Sequence, residues 1–286
     1  MKFSIIVPAY NEEKGVAEVI TGLKKSLESS GAEYEIIVVD DASTDETAEM
    51  AQQQGVLLIR HLINQGYGAA IMTGIKAAKY DTVVTIDADG SYAPQDLLKL
   101  LKYAEDFDLV AGSRTGQEYR GRLLKYPARI VFRALAEYVS GDKIPDINSG
   151  LRIFNKLVFN SFPNIHICRG FSFSTTTTLM FLVSNYYVKF VPIDYQYRRG
   201  KSKIKYIRDT LRALQILLEI AVHYNPIKAI LPFCAIPFMG MIAFFAAYFV
   251  SFNYEYLLGG AISLYVAIMI FTAGMLLLQI RLSGGK

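Results

Sequence analysis

Two apolar runs near the C-terminal end restrict this chain more than any other feature. Ala229–Val250 and Leu257–Ile280 contain no Asp, Glu, Lys or Arg. Each is about 20 residues long, the length an α-helix needs to cross a hydrocarbon core of ~30 Å. Two such runs side by side predict a transmembrane hairpin rather than two buried helices of a soluble core. They also explain why 52% of the residues are hydrophobic. The connecting segment, Ser251 to Tyr256, carries no Lys or Arg and supplies tyrosines suited to an interface. Basic residues flank the hairpin instead, with Arg208, Arg212 and Lys228 before it and Arg281 and Lys286 after it. The positive-inside rule then puts both ends of the hairpin in the cytoplasm. Met1-Lys2 runs straight into Phe3–Val7, too short for a secretory leader, so the N-terminal part is expected to stay in the cytosol. The expectation is an integral membrane protein with two spans and both termini cytoplasmic. Its regions are a cytosolic domain over 1–200, a juxtamembrane interface helix over 201–225, and a transmembrane helix hairpin over 226–286. The net charge of +4 suits an anionic lipid surface and does not argue for nucleic acid. Cys168 and Cys234 are far apart, which suggests neither a disulfide framework nor a zinc site.

The region before residue 200 alternates strand and helix patterns. Strands are read at Phe3–Val7, Tyr34–Val39, Val56–Ile59, Thr82–Ile86 and Leu109–Gly112. Helices are read at Val16–Leu27, after Asp45 with Ser43 or Thr44 as its cap, from Asn64–Ala70 through about Lys79, and at Leu97–Ala104. This order predicts an α/β fold with a doubly wound, mainly parallel sheet covered on both faces. Four strand ends carry polar loops: Tyr10-Asn11-Glu12, Asp40-Asp41, Asp87-Ala88-Asp89 and Ser113-Arg114. In such sheets ligands bind at the carboxyl ends of the strands. Neither a P-loop nor a dinucleotide fingerprint is present. Asp87 and Asp89 would repel each other unless a cation sat between them, and Mg²⁺ or Mn²⁺ holding phosphate oxygens meets that need. The blander reading makes the pair a cap for a helix opened by Pro94; the other three polar strand ends weigh against it.

Taken together, Val7-Pro8-Ala9-Tyr10-Asn11-Glu12, Val39 to Asp45, Asn64 to Ala70, Asp87 to Gly90 and Gly112-Ser113-Arg114 resemble the GT-A fold of family 2 glycosyltransferases. Asp146 to Arg152 and Arg198-Arg199-Gly200-Lys201-Ser202-Lys203 are similar to the polyprenyl-phosphate hexose synthases of that family. The likeness covers about Lys2 to Ile207. It implies that Pro8, Tyr10, Glu12 and Asp41 line a nucleotide pocket. Asp87 and Asp89 would face the diphosphate and its metal, with Asp89 the more direct ligand. Asp146 would be an active-site carboxylate near the sugar, or else a cap on the turn before Ser149-Gly150. Arg114 would hold the acceptor phosphate, and Arg198 and Lys203 would close over the donor diphosphate. The implied partners are a nucleotide-sugar donor, GDP-mannose or UDP-glucose, and a dolichyl or undecaprenyl phosphate acceptor in a membrane. A homo-oligomer is compatible with the sequence.

From Tyr119 basic residues (Arg120, Arg122, Lys125, Arg129, Arg133) alternate with apolar ones, and Ser202–Tyr224 repeats the pattern. Basic amphipathic helices of this kind lie in a membrane interface. Lys125 and Arg129 would there meet a phosphate at headgroup depth. Between Gly170 and Ile193 there is no Asp or Glu. Transfer to a sugar hydroxyl usually needs a carboxylate base, whereas a phosphomonoester, with a second pKa of about 6, is already ionised at neutral pH. Inversion at the anomeric carbon is implied by the resemblance. A processive polysaccharide synthase would need a Gln-x-x-Arg-Trp element, and the chain has no Trp. The remaining alternatives are transfer to a glycan or protein and a non-enzymatic membrane scaffold.

Overall fold

The computed structural model describes residues 1–28, 30–115, 126–162, 173–196 and 206–283. The chain divides into two compact units, Met1–Ile216 and Leu217–Lys286. The first is built on a seven-stranded sheet in the order β3-β2-β1-β4-β6-β5-β7. The strands are β1 (Lys2–Ala9), β2 (Glu33–Asp40), β3 (Leu57–Arg60), β4 (Thr82–Thr85), β5 (Leu109–Thr115), β6 (Arg152–Asn155) and β7 (Val188–Asp194). Among the described residues only strand β6 runs against its neighbours, pairing antiparallel with both β4 and β5. Its first residue, Arg152, therefore stands opposite Thr85, near the edge where β4 and β5 end.

Side chains alternate across the sheet, so β1 feeds two cores. Ile5 and Val7 join the apolar face of α1 (Val16–Leu27), where Val16, Val19, Ile20, Leu23 and Leu27 recur at helical spacing. Ile6 faces the other way, onto Ile71 and Ile75 of α3 (Tyr67–Ala77). Short helices α2 (Thr47–Gln52) and α4 (Asp96–Leu101) follow β2 and β4. Beyond β5 come α5 (Tyr126–Ser140), α6 (Lys156–Ser161) and α7 (Phe173–Val183). Phe154, Phe159, Phe173 and Phe181 pack ring against ring beneath β6. Fully burying an aromatic side chain contributes about 1.5–3 kcal/mol, so this cluster fixes the antiparallel strand firmly.

One local expectation changes. Ser43 and Thr44 do not cap α2, whose N-cap is Glu46 without a side-chain bond. Both serve the β1 loop instead: Asn11 N–H donates to Ser43 Oγ and Thr44 N–H to Asn11 Oδ1. Asn11 itself takes the left-handed conformation, φ 51°. The blander reading of Asp89 as a helix cap finds no support: α4 is capped at Gln95, and the Asp89 carboxylate closes its own turn, accepting from Ser91 N–H at 2.9 Å.

The second unit holds α9 (Pro226–Ser251) and α10 (Tyr254–Ser283), two helices long and apolar enough to cross a membrane. The helix α8 (Tyr206–Tyr224) precedes them and crosses the division between the units. Asn225 caps α9 by accepting from Lys228 N–H at 3.1 Å. Only Phe252 and Asn253 separate the two long helices, and Phe252 turns the chain with φ 52°. Small residues let the helices approach: Gly259 packs on Phe244, Gly260 on Phe245 and Gly274 on Ile230. Their outward faces are apolar, with Ile236, Phe249 and Val250 largely exposed.

Candidate active site

The loops that follow β1, β2 and β3 are tied into one wall. Pro8 is buried in β1 beside Val39, Tyr10 is half-buried and Glu12 is buried. Glu12 N–H donates to Thr47 Oγ1 at 2.8 Å. Asp41, just past β2, accepts from His61 Nδ1 at 2.7 Å, from Gln65 N–H at 2.8 Å and from Gly66 N–H at 2.7 Å. His61 reaches on through Nε2 to Thr73 Oγ1 at 2.9 Å. Asp41 thus holds the loop that delivers α3.

Tyr67, the first residue of α3, donates its hydroxyl to Asp87 Oδ1 at 2.8 Å. Burial, reinforced by the Asp87 charge, holds the Tyr67 phenol well above its usual pKa, so it stays a donor. On the other side of Asp87 stands Gly150. A Cβ there would lie 2.5 Å from both carboxylate oxygens, so only glycine lets this backbone come so close. Gly150 is itself held, its N–H donating to Tyr92 Oη at 2.7 Å and its carbonyl accepting from Thr85 Oγ1 at 2.8 Å. Gly15 lets the start of α1 meet the Ala88–Asp89 turn in the same way, since a Cβ would lie 2.5 Å from Ala88 O.

Asp146 and Arg114 form the second half. Arg114 Nε donates to Asp146 Oδ2 at 2.6 Å and Nη2 to Oδ1 at 2.9 Å, a two-pronged pair. Arg114 N–H and Asn148 N–H add two more bonds to the same carboxylate. Burial opposes ionisation of Asp146, but the Arg114 guanidinium and these donors outweigh it and hold the carboxyl below its usual range. The guanidinium also lies over the Tyr195 ring at 5.3 Å, and Tyr195 meets Tyr92 edge-on.

Four of the expected residues, Asp41, Asp87, Arg114 and Asp146, are joined by one chain of contacts, running from Asp41 through Gly66 and Tyr67 to Asp87, then through Gly150, Tyr92 and Tyr195 to Arg114 and Asp146. Lys125, Arg198 and Lys203 lie outside the described residues, as does the side chain of Arg129. The expectation missed His61, Tyr67, Tyr92 and Arg152. Among the described residues no group of three or more His, Cys, Asp or Glu could hold a metal. Two hard carboxylates on one strand end nevertheless fit a magnesium-like ion, which takes one or two from protein and the rest from phosphates and water.

The profile of "Glycosyl transferase family 2" matches residues 4–172. The chain is 36% identical over 159 residues to an uncharacterized protein of Methanocaldococcus jannaschii, covering 53% of this chain and 63% of that one. It is 30% identical over 170 residues to the undecaprenyl-phosphate 4-deoxy-4-formamido-L-arabinose transferase of Edwardsiella ictaluri, covering 57% and 52%. The chain thus spans between about half and two thirds of the length of these relatives. Among solved structures, glucosyl-3-phosphoglycerate synthase from Mycobacterium tuberculosis, in complex with Mn²⁺, UDP and glucosyl-3-phosphoglycerate, superposes with a TM-score of 0.63. That match is 22% identical and covers 77% of this chain and 80% of the other, a likeness of fold.

Proposed function

The chain belongs to glycosyl transferase family 2, and on that premise we propose that it moves a hexose from a nucleotide sugar to a polyprenyl phosphate at the cytoplasmic face of a membrane. The observation that carries the reading is the Arg114 fork, locked by Asp146 and linked by way of Tyr195, Tyr92 and Gly150 to the Asp87 carboxylate. In this reading Arg114 is the cation for the acceptor phosphate, and Asp87 and Asp89 are the carboxylates for the metal diphosphate. The undecaprenyl-phosphate relative and the Mn²⁺- and UDP-bound structural neighbour support the same classes of acceptor and donor.

Pro8, Tyr10 and Glu12 line the donor pocket, and Asp41 shapes it through the Gln65–Gly66 loop. Asp89 and Asp87 hold Mg²⁺ or Mn²⁺, which when bound neutralises the diphosphate. Arg114 orients the acceptor phosphate, whose ionised oxygen attacks the anomeric carbon as the bond to the nucleoside diphosphate breaks. No protein base is needed, because the nucleophile already carries its charge at neutral pH. Arg198 and Lys203 stabilise the departing diphosphate, and Lys125 and Arg129 the acceptor head. GDP-mannose and UDP-glucose are the candidate donors. On α5, Ile130, Val131, Leu135 and Tyr138 are exposed along one stripe, an apolar face suited to the membrane interface.

The test is transfer in detergent with Mn²⁺ or Mg²⁺, a short polyprenyl phosphate and labelled GDP-mannose or UDP-glucose in separate reactions. Label passes to the lipid phase from one donor, and EDTA or Asp89→Ala abolishes it. Absence of lipid label from every donor, with metal-dependent nucleotide binding intact, would overturn the acceptor assignment.

A further inference from the structure

Arg152 opens β6 and is fully buried, yet its partners are carbonyls and a hydroxyl. Nε donates to Ser149 O at 3.0 Å, and Nη1 to Ser174 O at 3.0 Å and Thr178 Oγ1 at 3.3 Å. Nη2 has no hydrogen-bond partner among the described residues. Taking a guanidinium out of water without a matched carboxylate is costly, and an apolar side chain of similar volume would suit the same core better. Burial accordingly pushes its pKa below the usual arginine value.

The three bonds show where that cost is spent. They tie the carbonyl just before Gly150 to the first two turns of α7. Gly150 is the surface on which Asp87 rests, and Tyr67 closes the opposite side. Tyr92 and Thr85 fix the N–H and carbonyl of Gly150 itself. Arg152 secures the residue that leads into it.

We propose that Arg152 is a positioning residue of the donor–metal site, fixing the Ser149–Gly150 turn and through it the Asp87 carboxylate. The inference rests on the reading of Asp87 as a metal-binding group given above. It makes a directional claim. A buried cation repels a metal ion, so if charge were its only influence, its removal would tighten metal binding. If it positions Asp87, its removal weakens metal binding.

The experiment titrates Mn²⁺ calorimetrically into the full chain in detergent, with saturating UDP or GDP, whichever the wild type binds. Nucleotide affinity without metal is measured in parallel as a check on the rest of the pocket. Arg152→Met is expected to raise the Mn²⁺ Kd by about tenfold or more, the usual effect of losing an outer-shell partner, with metal-free nucleotide affinity unchanged. Arg152→Lys keeps the charge but loses the fork, and is expected to fall between wild type and Arg152→Met. An unchanged or lowered Kd in Arg152→Met overturns the proposal. Should that variant not fold, Arg152→Lys decides alone, a raised Kd supporting the proposal and an unchanged one overturning it. A wild-type chain that binds no Mn²⁺ with either nucleotide overturns the metal-site reading, and the role of Arg152 with it.

Discussion

Asp146 is the residue whose charge the fold uses most openly. Its folded pKa is depressed, so the Arg114 pair contributes its full stability above the unfolded value of about 3.9. That contribution is lost as pH falls through the lower folded value. Asp146→Asn is expected to cost about 3 kcal/mol at neutral pH, the scale for breaking a buried pair. Thermal unfolding followed from about pH 6 to pH 2 should show a shallower acid-side fall in the variant than in wild type. At this scale the sequence was partly readable. Asp87, Asp89 and Arg114 stand at or beside strand ends, where an apolar run stops and a charge marks the boundary, whereas Asp146 was implied only by the family resemblance. Tyr67, Tyr92 and His61 carry no such mark, because what defines them is a partner brought in from another loop. Arg152 was hidden by its own strand: a charged residue reads as solvent-facing, and only three-dimensional packing shows it buried.

Among the elements, the purely parallel half of the sheet was legible because its strands are apolar runs separated by periodic helices. β6 was missed because it starts on a charge, ends on Asn155 and leaves only Ile153 and Phe154 as an apolar signal. β7 was missed because Pro192 argues against a ladder strand, and β7 indeed lies at the sheet edge, where a proline is tolerated. The helix α5 shows how one element can serve two surroundings. Ala136 and Val139 face inward, while Val131, Leu135 and Tyr138 recur at helical spacing on the exposed side. If that stripe meets lipid, Leu135→Asp should raise the KM for polyprenyl phosphate by about threefold or more. Metal-dependent nucleotide binding should stay unchanged, which separates a lost membrane contact from a damaged pocket.

For the whole molecule, the hairpin is the feature the sequence stated most plainly. Its helices run longer than the uncharged runs, because Pro226 and Asn225 begin α9 early and the turn shrinks to two residues. The orientation read from the flanking Lys and Arg has a direct check. A reporter fused after Lys286 should be protected from externally added reagents, and one placed at Asn253 should be reached by them. The reverse labelling would move the sugar-transfer site to the other side of the membrane.

The reversed strand also sets an order of events during synthesis. β1 to β4 pair with one another, so this half of the sheet can assemble as the chain emerges. β4 and β5 are bridged only when β6 arrives, well after both. The Gly150 backbone against Asp87 comes with it. Until then the Asp87 carboxylate has the Tyr67 hydroxyl on one side and lacks the Gly150 backbone on the other.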